Sequence, residues 1–166
     1  MKRINRIALI CLGVLLSLGS VAVFQYVCEY QRFQLVWDLT WQGWRLKQKK
    51  CWLEAEHAFL LALRYEEPKH QGHLYLELAE IYQKQKLNPK SIAHYQKALL
   101  YDLGREQRAD AHLQLGDLLA EKDSLVSARA HWHEAAQLTP AGMPLMAAGY
   151  MVHKDAEARL RANPKP

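Results

Sequence analysis

Motifs that carry catalysis or phosphate binding are missing from this chain. It has no G-x-S-x-G, no H-E-x-x-H and no glycine-rich phosphate loop, which removes the enzyme classes that those patterns mark. Cysteine is scarce: Cys11, Cys28 and Cys51 are too few and too unevenly placed for a disulfide framework. Acid is absent before Glu29. Lys2, Arg3 and Arg6 supply three of the formal +5, so residues 29–166 carry only +2. Nucleic acid asks for a concentrated basic face, and this footprint is too thin. No stretch alternates apolar and polar residues as a half-buried strand does. What the chain does have is apolar content: half of its 166 residues are hydrophobic and 23% are charged. That suffices for a packed core in one domain of ordinary size.

From Ile7 to Cys28 the sequence runs 22 residues without a charge. At about 1.5 Å per residue such a helix spans the roughly 30 Å hydrocarbon core of a bilayer. The expectation is a transmembrane signal-anchor over 7–28, with residues 1–6 as a basic cytoplasmic N-terminus and the rest on the non-cytoplasmic (periplasmic or lumenal) side. A cleaved signal peptide, with Ser20-Val21-Ala22 as its small-residue site, is the second reading. No glycine or proline lies between Ser20 and Gln42, so the helix is predicted to run on without a break.

Three columns of residues recur in step. Gly43, Ala79 and Gly116 are 36 and 37 apart, as are Phe59, Tyr95 and Trp132, and Ala62, Ala98 and Ala135. The small residue lets two helices approach, and the aromatic sixteen positions on fills the space beside it. Copy two reads Tyr75, Leu78, Ala79, Tyr82, then Ser91, Tyr95, Ala98; copy three reads His112, Leu115, Gly116, Leu119, then Ala128, Trp132, Ala135, Pro140. Copy one is degenerate, with Gln42 in the leucine column and Glu67 in the proline column. Asn88 before Pro89 is the expected cap of the second helix of copy two, and Asp123 of that in copy three.

These columns resemble the tetratricopeptide repeat (TPR) pattern W-x2-L-G-x2-Y…A-x3-F…P. The resemblance implies an all-α helix-pair solenoid. Its repeats fall at 36–69, 72–105 and 109–142, with a capping helix at 145–161 and a tail at 162–166. The two or three residues beyond the usual period fit the connections Glu66–Gln71 and Asp102–Arg108.

Histidine and cysteine chemistry finds little support. His70 and His73 have no third ligand near them in sequence, and His131 and His133, two apart on a helix, do not share a face. Cys51 has lysines beside it but no base. Neither a metal nor a cofactor is expected, nor an enzyme activity, nor a small-molecule substrate.

The resemblance supplies the candidate site. In the TPR family, positions two, five, nine and twelve of each first helix line a concave groove that binds protein segments. Here these are Trp37, Thr40, Trp44 and Lys47 in copy one, His73, Leu76, Glu80 and Gln83 in copy two, and Asp110, Leu113 and Asp117 in copy three. Members that grip a C-terminal carboxylate use Lys, Asn and Arg at such positions. The acids here imply a different partner, an apolar protein segment flanked by basic residues. The implied role is a membrane-anchored TPR scaffold, an assembly factor or accessory subunit of a membrane or exported complex, photosynthetic and respiratory complexes included. The second reading is a substrate-holding accessory of an enzyme system such as cytochrome c or cell-wall maturation.

Overall fold

The computed structural model describes residues 2–139 and 148–164, and for residues 2–19, 148 and 150 it describes the backbone alone. The described residues form helices α1 (Lys2–Gln48), α2 (Trp52–Tyr65), α3 (Gly72–Lys84), α4 (Asn88–Ala98), α5 (Arg105–Ala120), α6 (Leu125–Leu138) and α7 (Ala148–Ala162). A 3-10 turn, Pro68–His70, stands between α2 and α3. The C-terminal part of α1 packs on α2, α3 on α4 and α5 on α6, while α7 lies against both α5 and α6. This is an all-α, TPR-type helical repeat. The start of the expected cap at residue 145, and Pro140 of the third copy, lie outside the described residues.

The repeat columns are the contacts that hold each pair. A Cβ added at Gly43 would stand 2.9 Å from the Phe59 ring, and one at Gly116 only 2.6 Å from Trp132. In copy two, Ala79 takes the small position, and its carbonyl accepts a 2.8 Å hydrogen bond from the buried Ser91 hydroxyl. Phe59, Tyr95 and Trp132 are all buried. Full burial of such an aromatic contributes about 2–3 kcal/mol each.

The turn inside each pair also repeats. Lys50, Lys86 and Asp123 sit at matching positions, and all three adopt the left-handed conformation, with φ of 61°, 60° and 57°. In each turn the following amide donates back across the helix end: Cys51 to Leu46, Leu87 to Tyr82 and Ser124 to Leu119. These are Schellman closures, which satisfy the last carbonyls of the first helix. Two cap expectations are corrected here. Leu87 and Ser124 hold the N-cap positions of α4 and α6. The Asn88 side chain instead donates to Glu121, the C-cap of α5, at 2.7 Å, and Asp123 belongs to the left-handed turn.

Between one pair and the next, the connection is tied by side chains that again occupy one column. Gln71 donates to the Leu63 and Glu66 carbonyls, and Arg108 to those of Leu99 and Tyr101. Both satisfy backbone oxygens left at the end of the preceding helix.

The N-terminal expectation needs correction. Helix α1 runs unbroken from Lys2 into the first pair, but among the described residues no helix is long and apolar enough to cross a membrane. Of the run itself only the side chains of residues 20–28 are described, and Glu29, Gln31, Arg32 and Gln34 follow directly, so the described stretch of α1 is too short and too polar for a span. The single-pass anchor over 7–28, the cytoplasmic N-terminus and the non-cytoplasmic placement of the repeats are withdrawn on that finding. The side chains of residues 7–19 lie outside the described residues. Cys28 and Cys51 are free thiols.

Gln42, the misfit of copy one, also finds its reason. Its counterparts Leu78 and Leu115 are fully buried, Leu78 in the core that joins α3 to α2 and Leu115 in the one that joins α5 to α4. Copy one is the first pair, and among the described residues no earlier helix packs on the face of α1 that carries Gln42. Gln42 is therefore exposed, and an amide suits water better than a leucine would.

Candidate functional site

Helices α1, α3 and α5 present adjoining faces, and a polar ladder crosses them. Lys47 on α1 donates to Glu77 and, at 2.8 Å, to Glu80, both on α3. The Trp44 indole N–H donates to the other oxygen of Glu77 at 2.9 Å. Further along, the Gln83 amide donates to Gln114 of α5 at 3.3 Å, and Gln114 donates to Asp110 at 3.4 Å. The buried Tyr95 hydroxyl donates to Gln83 from behind, at 3.2 Å.

One lysine stands between two carboxylates, so this cluster keeps a net charge of −1. Burial alone would lower the Lys47 pKa, but its hydrogen bonds to Glu77 and Glu80 outweigh that and hold it above the ordinary lysine value. Glu80 is pushed up by burial and by the charges of Glu77 and Asp110, and the bond from Lys47 offsets this only in part. Burial also raises Asp110, against a smaller opposing contribution from Gln114. The face is thus a desolvated acidic strip, whose carboxylates lack cations of their own in sufficient number.

The residues expected to line the groove divide by environment. Trp37 and Trp44 are exposed, at 61% and 45%, and stand at the α1 end of the face. His73, Leu76, Glu80, Gln83 and Asp110 are half-buried along it. Thr40 is half-buried as well, and its hydroxyl oxygen is shielded with no hydrogen-bond partner among the described residues. Leu113, 3% exposed, packs into the core beside Trp132, Ala135 and Ala156. Asp117 turns to Trp132 and to Arg159 of α7. Those last two are held by contacts inside the fold.

Glu77 is the acid that sequence reasoning passed over. It lies one helical turn before Glu80, so the i, i+3 spacing was the signal that could have found it. The larger omission is the extension of α1. Phe33 stacks on Trp37 with ring centroids 6.5 Å apart, Tyr26 stacks on Tyr30, and Trp41 stacks on Trp44. All six rings are more than 40% exposed. A contiguous aromatic surface of this kind marks a contact site more often than an accident of composition.

Beside Phe33 and Trp37 opens a cleft of about 750 Å³, walled by α1 on one side. Opposite stand Tyr65 at the end of α2, His73 at the start of α3, and Leu103 in the α4–α5 connection. It shares Trp37, Thr40 and His73 with the face described above. Among the described residues no three histidine, cysteine or carboxylate side chains converge as a metal site would require.

No family model and no curated protein matches the chain. Among solved structures it is similar to PcrH in complex with the chaperone binding region of PopB, at 19% identity and a TM-score of 0.64 over 75% of this chain and 94% of that one. It is likewise similar to PcrH in complex with the chaperone binding region of PopD, at 20% identity and a TM-score of 0.64 over 75% of this chain and 87% of that one. At such identity the likeness is one of fold, a solenoid of paired helices in the TPR manner.

Proposed function

We propose that this chain is a non-enzymatic protein-binding scaffold that holds an apolar segment of a partner, flanked by lysine or arginine, along the face of α1, α3 and α5. The observation that carries the reading is the pairing of exposed Trp37 and Trp44 with the excess of Glu77, Glu80 and Asp110 over Lys47 on one continuous face. Aromatic side chains supply area for apolar contact, and carboxylates that are partly desolvated in the free protein gain from a cation brought by the partner. The extended-segment mode, in which a groove takes anchors from a partner chain, suits such a surface.

The fold of PcrH carries a chaperone binding region of another protein, which favours a holding role, an assembly factor or chaperone-like accessory, over a permanent structural subunit. Crosslinking in intact cells followed by mass spectrometry identifies the partner. Trp44→Ala and, separately, Glu80→Lys with Asp110→Lys should then each lower recovery of that partner about tenfold or more, with helical content unchanged. Normal recovery from both variants would remove the groove from the reading.

A further inference from the structure

The cleft beside the α1 extension carries a charge pattern of its own. Four carboxylates border it, Glu29, Glu66, Glu67 and Asp102, against two fixed cations, Arg32 and Lys69. Both cations are taken by one acid. Arg32 binds one oxygen of Glu67 at 2.6 Å and Lys69 the other at 3.2 Å, and these bonds, the one from Lys69 most of all, hold the Glu67 carboxyl below the usual range. Glu66 accepts the Glu67 amide N–H at 2.8 Å. Glu29 and Asp102 make no ion pair or hydrogen bond among the described side chains. They stand on different elements, Glu29 on α1 and Asp102 in the α4–α5 connection, and border one space.

Phe33 and Trp37 supply the aromatic wall of that space, and the buried side chain of Leu103 supplies apolar surface across from them. A volume of about 750 Å³ falls in the range of pockets that enclose a ligand group. Aromatic faces accept the methylene stem and the charge of a long cationic side chain, and free carboxylates at the rim accept its head. An anionic group would meet a net charge of −2 there.

We infer that this cleft is a second recognition point, which takes a lysine or arginine side chain of the partner segment, its stem against Phe33 and Trp37 and its head toward Glu29 and Asp102. The inference rests on the reading of the groove as a segment-binding face, and it names which part of the molecule reads the flanking cation. The α1 extension then serves as one jaw of the site, so the site reaches beyond the repeat columns.

The test uses the full chain and two short blocked peptides of leucine and alanine. One has a lysine at each end, and the other has norleucine, which keeps the length of the stem and removes the charge. Binding is followed by fluorescence anisotropy. The Glu29→Gln, Asp102→Asn double variant should bind the lysine peptide about tenfold more weakly than the unaltered protein, and the norleucine peptide within about twofold. Trp44→Ala should weaken both peptides. Equal binding of the lysine peptide to the double variant and the unaltered protein would overturn the cleft, as would an equal loss for both peptides or binding of neither. A tenfold charge effect that persists while Trp44→Ala changes nothing would keep the cleft and remove the groove.

Discussion

Arg159 of α7 forks onto the carboxylate of Asp117 on α5, its Nε 3.0 Å from one oxygen and its Nη2 3.0 Å from the other. The first of those oxygens also accepts the Trp132 indole N–H at 2.9 Å. One carboxylate thus fastens the last helix to the third pair and fixes the aromatic of that pair. Both ion-pair partners are partly exposed, at 36% and 27%, so solvent screening keeps the ion pair modest. Asp117→Ala should destabilise by about 2–3 kcal/mol, since it leaves a buried indole N–H without an acceptor, and Arg159→Ala by about 1 kcal/mol. Denaturant midpoints give the order. Equal losses from the two would mean that the indole bond contributes nothing.

Gly116 tests the same junction sterically. A methyl there would meet Trp132 at 2.6 Å and the Ala128 carbonyl oxygen at 3.1 Å, and the tryptophan is held in place by Asp117. Gly116→Ala should therefore cost about 2–3 kcal/mol despite the better helix propensity of alanine. Gly43→Ala, which meets only the end of the Phe59 ring at 2.9 Å, should cost less. Thermal or urea unfolding of the two variants decides.

The left-handed turns predict a gain. Lys50 and Lys86 are exposed residues with φ near 60°, a conformation that strains any side chain with a Cβ and leaves glycine free. Lys86→Gly should raise stability by about 0.5–1 kcal/mol, net of the extra entropy glycine has when unfolded. A lowered urea midpoint would refute the assignment of strain to this turn.

His112 and His131 set a pH dependence. Their Nδ1 atoms are 2.9 Å apart, so one ring donates to the other across α5 and α6. Burial lowers the pKa of each, and their proximity lowers that of His112 further, against an opposing charge from Glu134. The folded protein therefore takes up protons less readily than the unfolded chain. Their contribution is full above the unfolded value of about 6.5 and is lost as pH falls through the lower folded values. Glu80 and Asp110, raised by burial, act in the opposite sense at more acidic pH. In the window from about pH 7.5 to 6, urea midpoints should fall for the unaltered protein and flatten for His112→Asn, His131→Asn. A slope unchanged by that double variant would remove the pair as its source.

The sequence alone determined the repeat. The glycine–aromatic–alanine columns are contacts within a pair of neighbouring helices, and local spacing defines them, so Gly43 with Phe59 and Gly116 with Trp132 were legible before any coordinates. That Trp37 and Trp44 share a face of α1 was what the resemblance to the repeat pattern implied, since they fall at positions two and nine of its first helix. What the neighbouring helix brings to that face is a long-range matter, and only the tertiary structure decided it. Asp117 and Asp110 hold matching first-helix positions by spacing, yet Arg159, 42 residues on, engages one of them and leaves the other on the open face. Lys47 counts as a free cation by composition, whereas Glu77 and Glu80 neutralise it across the pair boundary. The apolar run of 7–28 suggested a bilayer because its composition carries no information on where its helix leads. In the fold the same helix continues as the first helix of the solenoid, and its aromatic residues with Glu29 become one wall of a cleft, because α1 runs on past the loops that close the first two helix pairs.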